Sequence, residues 1–305
     1  MKFLVIVRYP ILVISIISLL LGGCDKSLQY SECPPPIPCC PPPCNVRVAL
    51  VLGGGGARGM SHVGVLEEFE KAGIPIDVIV GCSIGSIVGA LYADCPDSRR
   101  LKSVLSPLKK WDILDLGISH CRWGLVKGGA MDRFLKRNLC ACYFEELQIP
   151  FYAVSTDLLA GELVAVNSGP IRPAVRASAS VPFVFKPVVL YERILVDGGV
   201  VDPIPVATAK ATGAKVIIAV DLSELLPKTC PNQLFGIAAR SAEIKLLKQS
   251  ESCTAGADVI LRPALGDLGM FDDKQFEKAY EAGRKAARDA MPQIKQILCE
   301  RGIPL

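Results

Sequence analysis

A serine between glycines, Gly81-Cys82-Ser83-Ile84-Gly85, follows one apolar run and opens another. Entered from a strand and left into a helix, this pattern is a nucleophile elbow. A strained turn exposes the hydroxyl, and the glycines relieve clashes between neighbouring backbone segments. Upstream, Gly53-Gly54-Gly55-Gly56-Ala57-Arg58-Gly59 joins a short β-branched run to an amphipathic one. Successive glycines let backbone N–H groups converge on one spot, and a helix N-terminus adds its positive end. Such a cup takes a phosphate or a transient oxyanion. Gly54-x-Gly56-x-x-Gly59 also matches the dinucleotide fingerprint, but the next strand ends at Gly81 instead of the acid that would hold a ribose. Met60 stands where a P-loop requires lysine. The third constellation is Asp197-Gly198-Gly199, after the apolar run Ile194–Val196. An aspartate there can point into a crevice or begin a hairpin turn, and both readings stand at this point.

A serine nucleophile needs a base, and the chain has two histidines, His62 and His120. The order serine, acid, histidine would require a histidine late in the chain, and none follows His120. His62, one turn past the glycine loop, is placed at most to shape that loop. His120 lies in a loop-like stretch without a motif. Inventory therefore disfavours a Ser-His-Asp triad, and the base has to be another group.

The elements that must carry these residues follow from hydropathy. Strands are expected at Arg47–Leu52, Ile76–Val80, Phe151–Ser155, Leu163–Val166, Ile194–Val196, Lys215–Val220 and Val259–Leu261. Helices are expected at Met60–Ala72, Ile84–Ala93, Met131–Asn138, Val206–Ala211, Leu234–Gln249 and Asp273–Leu298. The alternation predicts an α/β fold of three layers, α/β/α, with a mostly parallel central sheet. One domain is expected over residues 46–305. The 305 residues carry 34 Lys+Arg against 30 Asp+Glu, a net charge of +4, and aromatic residues make up 6%. That balance lacks the basic footprint and stacking platforms of a nucleic-acid binder.

The N-terminus reads as an address. Lys2 and Arg8 precede the apolar run Ile11–Leu21, too short to span a bilayer and suited to a signal peptide over residues 1–23. Leu21-Gly22-Gly23-Cys24 resembles a bacterial lipobox, which implies lipidation of Cys24 and a membrane-anchored lipoprotein of the bacterial cell envelope. Residues 24–45 form a Cys/Pro-rich stalk, expected to be extended because proline fixes φ and removes the N–H donor. Cys33, Cys39, Cys40 and Cys44 are candidates for disulfides, within the chain or to a partner; their spacing does not give paired Cys-x-x-Cys zinc ligands.

Taken in order, glycine loop, serine elbow and Asp-Gly-Gly resemble the patatin-like phospholipase family. The resemblance covers Val46–Asp221, including Arg176-Ala-Ser-Ala-Ser-Val-Pro182. It implies a patatin-like fold and a Ser–Asp dyad, with Ser83 as nucleophile and Asp197 as base. It assigns the Gly54, Gly55, Gly56, Arg58 and Gly59 loop to an oxyanion hole, and Gly81, Gly85, Gly198 and Gly199 to the elbow and dyad motifs. The implied substrate is a phospholipid or lysophospholipid, hydrolysed through an acyl-Ser83 intermediate without metal or other cofactor. Arg58 is expected either to attract a lipid phosphate or to brace the loop through a salt bridge. An acyltransferase or thioesterase on the same dyad, or a non-catalytic cysteine-cross-linked envelope lipoprotein, are the alternatives.

Overall fold

The computed structural model describes residues 31, 34–108, 112, 115, 124, 126–223, 234–266, 268 and 275–305. Cys24 and the leader before it, Cys33 and His120 lie outside the described residues. In chain order the elements are β1 (Val48–Leu52), α1 (Met60–Ala72), β2 (Val78–Cys82), α2 (Ile84–Asp94), α3 (Ser98–Leu105), α4 (Gly129–Asn138), β3 (Phe151–Asp157), β4 (Leu163–Val166), α5 (Ile171–Ser178), β5 (Val188–Leu190), β6 (Arg193–Asp197), α6 (Val206–Ala211), β7 (Val216–Val220), α7 (Leu234–Cys253), β8 (Val259–Leu261) and α8 (Phe276–Glu300).

All five residues of β1 are buried, so both of its faces need covering. Side-chain alternation divides them. Val48, Leu50 and Leu52 pack in one cluster with Leu66 and Phe69 of α1 and Ile294 of α8. Ala49 and Val51 pack in a second with Val206 and Ala209 of α6. The expected three layers are present. Among the described residues the strands form one eight-stranded sheet ordered β5-β6-β3-β2-β1-β7-β8, with β4 also on β3. Pairing is parallel from β3 across to β8, and antiparallel where β4 and β6 meet β3 and where β5 meets β6. The mostly parallel expectation holds for the centre, and the antiparallel wing is a finding of the structure. Hydropathy marks a strand but not its direction.

The wing creates the site. β2 ends with Cys82 opposite Val154 of β3, and β6 ends with Asp197 opposite Ser155. Two strands running in opposite senses therefore finish beside consecutive residues of one neighbour. β2 reaches this point because it continues two residues past the expected Val80, with Gly81 paired to Ala153.

Part of the proline-rich segment lies along the domain. Cys40 donates its N–H to Asn167 Oδ1 at 3.1 Å and accepts from Asn167 Nδ2 at 2.8 Å. Ile37 packs against the main core cluster. Polyproline backbone makes no internal hydrogen bonds, so its remaining polar groups are available to a side chain of this kind. Cys39, Cys40 and Cys44 are free thiols.

α8 closes the fold by crossing α1 at backbone contact. Ser61 Oγ donates to the Ala279 carbonyl at 2.9 Å, and a Cβ at Gly283 would overlap the Ser61 carbonyl oxygen. We therefore expect Gly283→Ala to lower unfolding free energy by about 1–3 kcal/mol, as overpacked sites do, measured by urea denaturation. Unchanged stability would show that α8 gives way freely.

Candidate active site

The serine elbow is the sharpest backbone feature. Ser83 adopts φ 55 and ψ −123, a left-handed φ that a side-chain-bearing residue holds only when its surroundings impose it. The imposing contacts are on either side. A Cβ at Gly85 would overlap the Leu52 carbonyl at the end of β1, and one at Gly81 would sit 2.6 Å from the Gly85 carbonyl oxygen. Only glycines let β1, β2 and the start of α2 meet this closely. The Ser83 N–H donates to Ser178 Oγ at 3.1 Å, and Ser178 Oγ donates to the Val154 carbonyl at 2.6 Å. One hydroxyl thus ties the elbow to β3 from the end of α5. Cys82 is a buried apolar filler beside the elbow, its thiol pushed well above the ordinary value by burial.

Ser83 Oγ donates to Asp197 Oδ2 at 2.6 Å, although the two residues are 114 positions apart. Asp197 Oδ1 accepts from the Gly199 N–H at 2.8 Å. The aspartate backbone is held as well: its N–H donates to the Ser180 carbonyl at 2.9 Å, and its carbonyl accepts from Thr156 Oγ1 at 3.0 Å. This settles the two readings of Asp-Gly-Gly in favour of a carboxylate aimed at another segment. Gly198 lies against the Val154 carbonyl and the Cys82 sulfur, and Gly199 turns back onto Asp197. Exposure is 9% for Ser83 and 5% for Asp197. Burial dominates the electrostatics, raising the Asp197 carboxyl to about 6 against the partial pull of its bonds to Ser83 and Gly199.

The glycine loop lies against this pair: a Cβ at Gly54 would be 3.3 Å from Ser83 Cβ. Its first two N–H groups are committed to the scaffold, Gly53 to the Val220 carbonyl at 3.1 Å and Gly54 to the Pro203 carbonyl at 3.0 Å. The Arg58 N–H closes a turn onto the Gly55 carbonyl at 3.3 Å. Among the described residues no acceptor faces the N–H groups of Gly55 and Gly56. Gly59 begins α1 pressed against Ile84. The Arg58 side chain braces the loop through carbonyls, with no acid beside it among the described residues: Nε donates to Leu268 at 2.8 Å and Nη1 to Leu222 at 3.3 Å.

His62 is fully buried, with Nε2 2.9 Å from the Gly53 carbonyl oxygen. Burial lowers it to about 4, so it is neutral near pH 7. Among the described residues, then, no imidazole faces the serine. Ser178, Thr156, Pro203 and Val220 support the site without a signal that sequence reasoning could use. Ser178 lies in the stretch Arg176–Pro182, where the sequence does not separate it from Ser180.

A family model described as patatin-like phospholipase matches residues 50–210. Lysophospholipase NTE1 of Coccidioides immitis (strain RS) is 30% identical over 86% of this chain and 18% of its own length. Patatin-like phospholipase domain-containing protein 6 of Mus musculus is 37% identical over 77% of this chain and 20% of its own. The chain thus spans about a fifth of the length of the curated relatives it matches. Among solved structures, VipD from Legionella pneumophila superposes with a TM-score of 0.54 at 12% identity, covering 90% of this chain and 73% of that one, a likeness of fold.

Burial of Asp197 has a cost that can be measured. Its folded pKa lies above the unfolded one, so the folded state keeps a proton that the unfolded chain releases between the ordinary carboxylate range and about 6. Stability from this group falls as pH rises through that window, and the penalty is complete above it. Asn keeps the acceptor for Gly199 and carries no charge. Asp197→Asn should be more stable than wild type at pH 8 by on the order of 2 kcal/mol, the gain vanishing near pH 4. A variant less stable at pH 8 would refute this electrostatic reading.

Proposed function

Because this chain belongs to the patatin-like phospholipase family, we propose that it is a serine lipid acyl hydrolase of the phospholipase A or lysophospholipase type, working through Ser83 and Asp197. The observation that carries this reading is the 2.6 Å bond from Ser83 Oγ to a buried carboxylate, beside a loop whose Gly55 and Gly56 N–H groups have no partner among the described residues. The Ser83 oxygen attacks the ester carbonyl carbon as its proton passes to Asp197 Oδ2. The carbonyl π pair moves onto oxygen, and that oxyanion rests against the N–H groups of Gly55 and Gly56. Gly54 and Arg58 serve as scaffold, since their N–H groups are already bonded.

Collapse of the tetrahedral species breaks the ester C–O bond. The leaving alkoxide takes the proton from Asp197, and the acyl group stays on Ser83. Water then repeats the sequence: it gives a proton to Asp197, attacks the acyl carbon and releases a fatty acid as the proton returns to Ser83. A carboxylate near pKa 6 is a stronger base than an ordinary one, and the Gly199 N–H keeps its second oxygen engaged. Each oxyanion donor is worth about 3–4 kcal/mol in a comparable hydrolase.

The proposal extends to the cell envelope. Leu21-Gly22-Gly23-Cys24 supports removal of residues 1–23 and lipidation of Cys24, which would hold the enzyme at its substrate. Cys33, Cys39, Cys40 and Cys44 are the sites for disulfides to a partner.

Mass spectrometry of products from phosphatidylcholine and lysophosphatidylcholine vesicles tests the reaction. Wild type should release fatty acid and Ser83→Ala should lose roughly 10⁴-fold or more of the rate while remaining folded. Substantial release by purified Ser83→Ala would remove the serine from the mechanism. Because Asp197 must be deprotonated to act, kcat/KM should rise with pH to a plateau with its midpoint near about 6. For the anchor, wild type should incorporate labelled fatty acid and Cys24→Ser should not; equal labelling of the variant would exclude lipid attachment at Cys24.

A further inference from the structure

His62 is a buried titratable group that the reaction above leaves without a part. It sits in the first turn of α1, and among the described residues its one hydrogen bond runs from Nε2 to the Gly53 carbonyl oxygen at 2.9 Å. A carbonyl oxygen only accepts, so Nε2 carries the hydrogen and Nδ1 is bare. Nδ1 is buried and has no donor. An imidazole with one nitrogen stranded is a poor core filler compared with leucine, so packing alone does not account for it. What it contributes is one N–H aimed at one carbonyl.

That carbonyl belongs to the peptide joining Gly53 to Gly54. The N–H of the same peptide donates to the Pro203 carbonyl at 3.0 Å, and the preceding N–H, of Gly53, donates to Val220 at 3.1 Å. The Gly53–Gly54 peptide plane is therefore clamped at both ends, by His62 on the oxygen and by Pro203 on the nitrogen. A peptide between two glycines meets little steric resistance to turning over, because neither residue has a Cβ. The next peptide in the chain presents the Gly55 N–H.

Resting on the reading of Ser83 and the glycine loop given above, we infer that His62 is a positioning residue, a strut that fixes the Gly53–Gly54 peptide and through it the direction of the Gly55 N–H toward the oxyanion. It touches neither substrate nor the reacting atoms and exchanges no proton. Its effect is confined to the transition state, where the oxyanion forms, and so belongs in kcat and not in KM.

The test compares His62→Leu, His62→Gln and His62→Asn in the full chain, with kcat and KM for fatty-acid release and a thermal unfolding midpoint for each. Gln reaches the place of Nε2 with an N–H donor, whereas Asn is too short. Leu and Asn should lower kcat by roughly 10–100-fold, less than outright loss of an oxyanion donor, with KM within about twofold. Gln should recover most of kcat even where its unfolding midpoint matches that of Asn. A structural role alone would follow the unfolding midpoint and show no rescue by Gln. Should the Leu variant fail to fold, the Gln and Asn pair decides. Full kcat in Leu or Asn, or a loss confined to KM, overturns the strut. If Ser83→Ala is inactive in the same assay, that result leaves the Ser–Asp reading standing. If Ser83→Ala is active, the reaction scheme fails before His62 is at issue.

Discussion

A carboxylate removed from water with only a hydroxyl and an amide for company is costly to hold, and the described structure is organised around one. Asp197 is nearly inaccessible, and burial raises its carboxyl to about 6. Groups in that position normally find a cation or give up their charge. Here the compensation is geometric. The carboxylate receives Ser83 on one oxygen and Gly199 on the other, while Ser180 and Thr156 fix its backbone. Every one of those partners lies on a different segment, and all of them converge because β2 and β6 end beside neighbouring residues of β3. Remove the antiparallel wing and Ser83 loses its carboxylate partner.

The same economy of contact explains the glycines. Around Ser83 they mark the places where backbones touch: β1 against the start of α2, the loop against the serine, β6 against β3. Their arrangement makes the glycine loop dependent on scaffold bonds. The N–H groups of Gly53 and Gly54 hold it down, while those of Gly55 and Gly56 have no hydrogen-bond partner among the described residues.

How much of this was legible beforehand divides along local and non-local lines. The elbow, the glycine loop and most strands were readable because each is a short contiguous pattern, and Leu163–Val166 and Val259–Leu261 came out with the expected bounds. The direction of β6 and the aim of Asp197 were not, since a hairpin turn and a crevice carboxylate share the letters Asp-Gly-Gly until the partner strand is known. β5 has three residues and no periodicity to detect. α5 was hidden by Pro173 in its first turn, which is where proline is tolerated. α3 has two buried leucines, Leu101 and Leu105, among polar neighbours, and its start rests on the Asp97 carboxylate. The position of His62 one turn past the glycine loop suggested at most a part in shaping it, whereas its bond to the Gly53 carbonyl depends on how the loop folds back and has no sequence signal.

The long separation between serine and aspartate also bears on when the pair can first assemble. At ~5–20 residues per second, the 114 positions between them correspond to roughly 6–23 s of ribosomal synthesis. Throughout that interval the hydroxyl exists without its carboxylate. Any abortive or proteolysed product that ends before β6 likewise lacks the pair. Contact between Ser83 and Asp197 therefore marks a chain in which β6 has docked on β3.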